Sequence, residues 1–316
     1  MWGYIMRRVG LLVPTLALVT VLVALLVRLL PGDAVEIIIG QYTPLTHGDR
    51  EAVRRQLGLD KPWYEQYGEF VGGVFTGDWG TSLQSQQPIG RELARRLPVT
   101  FELGLLALLI SIVVAVPVGV IAAIRQDRWL DYLMRGSAIV FIAVPAFWLG
   151  TLVVVLPNVW WGWAPPIHYE SFFDDPLSNL YFMIIPASIL GLGLSGSVMR
   201  LTRTQMLEVL RQDYIRTAWA KGLRERAIIL RHALRNALIP VTTLIGLQVP
   251  LLVGGTVVLE TIFSVPGIGS YLVTAVNSRD YPVVQAVNLV VALAVVLSNL
   301  LVDVLYAYLD PRIRYA

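Results

Sequence analysis

The chain has 316 residues, of which 56% are hydrophobic and only 15% charged, with a mean hydropathy of +0.65 and a formal net charge of +3. Soluble domains are about 45–50% apolar and about 25% charged. Here the excess falls in blocks of about twenty residues, the length that crosses a hydrocarbon core, so an all-α polytopic membrane protein is expected. The lack of cysteine excludes disulfides, thiol catalysis and thiolate metal sites.

Six transmembrane helices are predicted, over 9–30, 99–124, 136–156, 180–199, 237–259 and 283–305. The opening "MWGYIMRRVG" puts Arg7 and Arg8 before an apolar run, as a signal peptide does. The run is too long, however, and "LLPGD" is a poor cleavage site, so residues 1–30 read as a cytoplasmic N-terminus and an uncleaved first helix. Residues 31–98 form the one sizeable extramembrane segment and read as a small external domain of three short helices. "GDREAVRRQLGL" has Asp49 as N-cap and Gly58 as stop, "KPWYEQYGEFVGGVF" carries an aromatic face, and "QPIGRELARRLP" is entered at Pro88 and ended at Pro98. Residues 99–306 hold helices 2–6, with a basic loop over 200–236, and 307–316 form a cytoplasmic tail. Lys and Arg favour the N-terminus, the basic loop and the tail, so both termini are expected inside. Trp160, Trp161 and Trp163 in the 157–179 loop read as interfacial anchors rather than sugar-stacking residues.

The chemistry is defined first by what is missing. There is no G-x-x-x-x-G-K-[ST] loop, and His47, His168 and His232 are scattered, so neither a nucleotide site nor a metal site is expected. The chain does not read as an enzyme, and no cofactor is expected. Glu102 and Asp303, the acids within the spans, lie near span ends and read as interfacial or helix-packed carboxylates, not as a midplane coupling site. Pro14, Pro117, Pro145, Pro186, Pro240 and Pro250 fall inside spans, each removing a backbone donor. "GLGLSGS", with Ser195, permits close helix packing. Gln248, Asn288 and Asn299 place amides at depth; they and Ser195 are read either as interhelical hydrogen-bonding groups or as part of a polar translocation path.

The densest positive charge lies in "DYIRTAWAKGLRERAIILRHALRNALIP", from Asp213 to Pro240. Asp213 is placed to cap a helix whose Tyr214, Ile215, Ala218 and Trp219 share a face, and Gly222 offers a turn. A second short helix with a basic face follows. Three readings compete for it: a lipid anchor, a nucleic-acid patch and a docking element for a cytoplasmic partner. No base-stacking module accompanies the patch, so no nucleic-acid partner is expected, and a pure anchor needs neither the Gly stop nor the change of face.

This stretch, with "RRVGLLVPTL", "LPGD", "LGLDKPWYEQY", "GDWGTS", "TFELG", "VPVGVIAA", "RLTRTQMLEVLRQDYIRTA", "ETIFSVPGIG", "DYPVVQ" and "NLLVDVLYAYLDPRIR", resembles the ABC importer permeases of the dipeptide/oligopeptide/nickel family, and specifically their B-type transmembrane subunit. The basic stretch is similar to their cytoplasmic coupling loop. The resemblance implies a type I importer permease fold in a bacterial or archaeal cell membrane. It also implies a second homologous permease subunit, two cytoplasmic ATPase subunits or domains, an external substrate-binding protein and membrane lipid as partners. It assigns the ATPase-coupling role to Asp213, Tyr214, Ile215, Arg216, Thr217, Ala218, Ala220, Lys221, Gly222, Leu223, His232, Arg235 and Asn236. Where the wider superfamily has Glu-Ala-Ala, this chain has Arg216-Thr217-Ala218, so a glutamate anchor is not carried over. The expected cargo is a peptide-like solute, while nickel chelates, glutathione and oligosaccharides stay open. The alternatives are a secondary transporter or channel using the buried amides, and a non-transporting scaffold.

Overall fold

The computed structural model describes residues 2–29, 51, 55 and 60–309, whose regular structure is helical apart from one isolated bridge between Thr81 and Pro88. The helices are α1 (Trp2–Leu29), α2 (Trp63–Thr76), α3 (Ile89–Ile124), α4 (Trp129–Ala143), α5 (Ala146–Trp161), α6 (Pro176–Leu210), α7 (Asp213–Ala220), the single turn α8 (Glu225–Ala227), a π-helix (Ile228–Ala233), α9 (Leu234–Ile262), α10 (Ile268–Asn277) and α11 (Tyr281–Leu309). Among the described residues, four stretches are long and apolar enough to cross a membrane: 89–124, 176–210, 225–250 and 281–302. In α1 the apolar stretch Val13–Leu25 is described.

Three expectations are corrected. The span predicted over 136–156 is not one helix: α4 and α5 meet at 92°. Val144, at φ −85° and ψ 120°, precedes Pro145, whose ring pushes the preceding residue out of the α region. Pro98 does not end a helix, because α3 runs through it from Ile89. The second short helix of the basic stretch is not separate either, since α8, the π-helix and α9 follow one another without a break. Of the helix expected over 49–58 only residues 51 and 55 are described, both helical, and Asp303 as a side chain lies outside the described residues.

Two compact units are formed, one by Met1–Thr100 with Pro266–Leu297, the other by Phe101–Val265 with Ser298–Arg314. In the first, Ile89 and Leu93 of α3, Ile268 and Ala275 of α10, and Val283 and Val287 of α11 are buried together, with Val23, Phe70 and Trp79 packed against them. Asp280 is buried and accepts from the Ser82 hydroxyl at 2.5 Å and the Leu83 amide at 3.1 Å, which closes the 82–84 turn. The Arg96 guanidinium lies 4.6 Å from the Tyr271 ring centre. Burial first, then the Asp280 and Glu92 charges, push the Tyr271 hydroxyl up to about 12.

In the second unit α6 is the packing centre, lying against α4 and α9. Asp175 starts α6 by accepting from the Leu177 and Ser178 amides, and Pro176 stands in the first turn, where its missing N–H costs nothing. Helices in lipid are held by close packing. A Cβ on Gly196 would stand 2.6 Å from the Ala138 carbonyl oxygen of α4, and one on Gly191 would stand 2.6 Å from the Ala107 carbonyl oxygen of α3. These two glycines of "GLGLSGS" therefore serve helix approach, as the sequence predicts.

Candidate functional site: the 211–224 turn and the polar groups around it

The chain leaves α6 at Leu210 and enters α7 at Asp213, with two residues between. Gln212, not Asp213, occupies the N-cap position and makes no side-chain cap bond. Asp213 is instead the first residue of α7, where a carboxylate complements the helix dipole. It also accepts from the Arg216 guanidinium at 3.2 Å, with both groups well exposed. The Thr217 hydroxyl donates back to the Asp213 carbonyl at 3.0 Å.

One face of α7 is anchored. Ile215 and Ala218 are buried with Val120 and Ala123 of α3, Met206 of α6, Ile228 and Ala233 of the π-helix, and Ala237 of α9. Burying one isoleucine side chain stabilises by about 1.5–3 kcal/mol, enough to seat an eight-residue helix that would not form alone. The π-helix serves this seat, because Ile228 and Ala233, both buried, stand one five-residue turn apart on it. Tyr214 and Trp219 share the face by spacing but stand at its margins, 44% and 48% exposed. The Tyr214 hydroxyl accepts from the Asn236 amide at 2.8 Å, and Asn236 also donates to the His232 carbonyl at 3.1 Å. His232 is half-buried; Arg235 is exposed.

The far end of α7 closes on glycine. Gly222 has φ +73°, its amide donates to the Trp219 carbonyl at 2.9 Å, and the Leu223 amide donates to the Ala218 carbonyl at 3.3 Å. This pair of bonds is the Schellman arrangement that favours glycine in the left-handed position. A Cβ on Gly222 would meet nothing within 4 Å, so backbone strain, not crowding, is what disfavours β-branched and bulky residues there. Arg216, Thr217, Ala220, Lys221, Gly222 and Leu223 all face solvent. The result is an exposed helix of balanced charge, flanked by Arg211, Lys221 and Arg224 and held from behind by an apolar plug.

The polar groups predicted at depth separate. Gln248 of α9 is buried and donates to the Ser197 hydroxyl at 2.9 Å and the Leu194 carbonyl at 3.2 Å, which bridges α9 to α6. Ser195 is fully buried, with its hydroxyl turned back to the Leu192 carbonyl at 2.7 Å. Asn288 donates to its own helix at the Val284 carbonyl, at 2.8 Å, and Asn299 is exposed. Glu102 accepts from the hydroxyl of Tyr169, in the loop between α5 and α6, at 3.0 Å. Burial raises the Tyr169 hydroxyl's pKa, and the Glu102 charge adds to it.

One constellation was missed. Asp131 of α4 has no exposed side-chain surface and takes both prongs of Arg203 of α6, Nε on Oδ1 and Nη2 on Oδ2, each at 2.7 Å. Its Oδ2 also accepts from the Asp127 amide at 3.1 Å. The signal available was a lone acid in "RWLDYLMR", a segment otherwise basic. No group of His, Cys, Asp and Glu suited to a metal ion occurs among the described residues.

Known proteins align with the chain from end to end. A model of the binding-protein-dependent transport system inner membrane component matches residues 115–315, and one of the N-terminal region of such components matches residues 1–104. A peptide transport system permease protein of Brucella abortus (strain 2308) is 44% identical over 316 residues, covering 100% of both chains. The dipeptide transport system permease protein DppB of Escherichia coli (strain K12) is 41% identical over 340 residues, covering 100% of this chain and 99% of its own. DppB of Alkalihalophilus pseudofirmus is 40% identical over 336 residues, with both chains covered completely. With a family match over most of its length, this chain belongs to the binding-protein-dependent transport system inner membrane components.

Proposed function

We propose that the chain forms half of the translocation pathway of an ATP-driven importer for peptides, with α7 as the element that docks on a cytoplasmic ATPase. The observation that carries this reading is the build of α7, which is exposed, flanked by the basic residues Arg211, Lys221 and Arg224 and closed by a Schellman turn, yet plugged into α3, α6 and α9 by Ile215 and Ala218. An exposed helix seated this way can pass a push to the helices behind it. The peptide cargo rests on the relatives, which are named for peptide and dipeptide transport.

In this reading both termini are cytoplasmic, 31–98 is an external domain that helps receive the substrate-binding protein, and 99–306 is the permease domain. The coupling contacts come from the exposed residues of 213–223, while Tyr214, His232 and Asn236 steady the helix and Arg235 adds charge. A second, homologous permease completes the pathway, and lipid surrounds it. Gln248, Ser195 and Asn288 act as helix-bridging or self-bonded groups, and Asn299 is the one of the four left on an exposed face.

Purification from native membranes in mild detergent tests the assembly. The expected result is co-purification of a second permease chain and P-loop ATPases, with peptide uptake that stops when cytoplasmic ATP is removed. Uptake that survives ATP depletion but collapses with the ion gradient would overturn it in favour of a secondary transporter.

A further inference from the structure

We propose that Asp131 and Arg203 are positioning residues for transport. Their ion pair locks the ends of α3, α4 and α6 nearest α7 into one body, so that a displacement of α7 carries α4 along with α6. The inference rests on the proposed docking of α7 on an ATPase.

The contacts form a continuous path inside one compact unit. Ile215 of α7 packs with Val120 and Ala123 of α3 and with Met206 of α6. Arg203 stands three residues before Met206, on the same side of α6, because residues three apart are neighbours on a helix. Gly119 of α3 fits against this turn: a Cβ there would lie 2.7 Å from the Thr202 Cβ and 2.8 Å from the Met199 carbonyl oxygen. Arg203 then holds Asp131 of α4 through two bonds of 2.7 Å, and Asp131 holds the Asp127 amide of the turn that follows α3. One carboxylate therefore ties α6, the start of α4 and the turn after α3.

Stability alone is a poor reason for this pair. A buried ion pair costs so much desolvation that an apolar pair of similar volume often serves as well or better, and the best-attested use of such a pair is to fix register. The rest of the α4–α6 contact is apolar: Gly196 lies against Ala138 and Ile142, and Ala138 and Phe141 pack with Val198 and Met199, contacts that carry no bond of fixed direction. The fork of Arg203 permits one alignment, because two parallel bonds fix both distance and direction. Beyond α4 the chain turns by 92° into α5, so an α4 locked to α6 moves as a lever whose elbow is at Val144–Pro145.

The test uses the complete transporter, with its partner subunits, in a lipid bilayer. Spin labels at Leu133 of α4 and Thr204 of α6, both exposed, report the distance between the two helices with and without ATP. The expected wild-type distance is the same in both states, and a change of more than about 2 Å, the scale of a helix shift, overturns the clamp. In Asp131→Asn, the distance is expected to broaden and uptake per ATP hydrolysed to fall about tenfold, within the range of site-to-site coupling. Arg203→Lys, which keeps charge but loses the fork, falls between, and the exchange Asp131→Arg with Arg203→Asp recovers part of the loss. A merely structural pair would lower the amount of assembled transporter without changing uptake per ATP, and that outcome overturns the proposal. A wild-type chain that binds no ATPase overturns both this inference and the reading beneath it. A coupled wild type with an unaltered ratio in Asp131→Asn overturns the clamp alone.

Discussion

The turn that closes α7 and the elbow between α4 and α5 both end a helix, and they are made by different means. The α7 turn is written locally: Gly222 at φ +73° closes the helix, and its neighbours supply the two capping bonds. At the elbow, Pro145 only forbids Val144 the helical conformation. The α4 side of that elbow is then held by contacts distant in sequence, Gly196 on Ala138 and Arg203 on Asp131. A local device can be read from a short stretch of sequence; a device assembled from residues far apart cannot.

Four substitutions sharpen that contrast, in order of decreasing effect. Ile215→Ala empties the plug beneath α7 and is expected to cost about 2–5 kcal/mol, the range for a buried isoleucine. That cost falls on the seating of α7, so uptake should be lost while the transmembrane helices still assemble, as judged by yield and detergent melting. Gly196→Leu drives a side chain into the α4 backbone and is expected to cost about 1–3 kcal/mol or more. It should lower the melting temperature of the whole chain, the reverse of the pattern for Ile215.

Gly222→Val forces a β-branched residue into the left-handed region, at about 1–2 kcal/mol. Because space is open around Gly222, Gly222→Asn should recover much of the loss. Equal damage from Val and Asn in binding-protein-stimulated ATPase assays would mean that the partner needs the bare glycine surface. Pro145→Ala is expected to cost least, about 0.4–1 kcal/mol, since Gly196 and Arg203 still hold α4. A straightened 136–156 segment, seen as full amide exchange protection across residues 143–146, would show that proline alone makes the elbow.

The same distinction explains what the sequence revealed. Blocks of apolar residues announced the membrane class, and "AKGL" announced the end of α7, because composition and a single glycine act locally. The 92° break within the span expected over 136–156 is not legible in the sequence, because Pro145 permits either a kink within one helix or a complete break. The residue type of Asp213 favours a cap, yet Gln212 holds that position, since its carbonyl accepts from the Ile215 and Arg216 amides. The π-helix left no mark, since Ile228–Ala233 reads as ordinary helical sequence and its extra residue is justified only by the plug it completes. Asp131 drew no notice because its partner is distant in sequence, although a lone acid among arginines was visible.

The most direct test of the central claim is photocrosslinking from α7 in native membranes. The crosslinker would be placed at Thr217, on the exposed face, with a control at Val155 on the exposed face of α5. The account predicts a crosslink from Thr217 to a P-loop ATPase that changes in yield with nucleotide, and none from Val155. Lipid adducts alone at Thr217, with no ATPase captured, would contradict it and reduce the 211–224 turn to a basic membrane anchor.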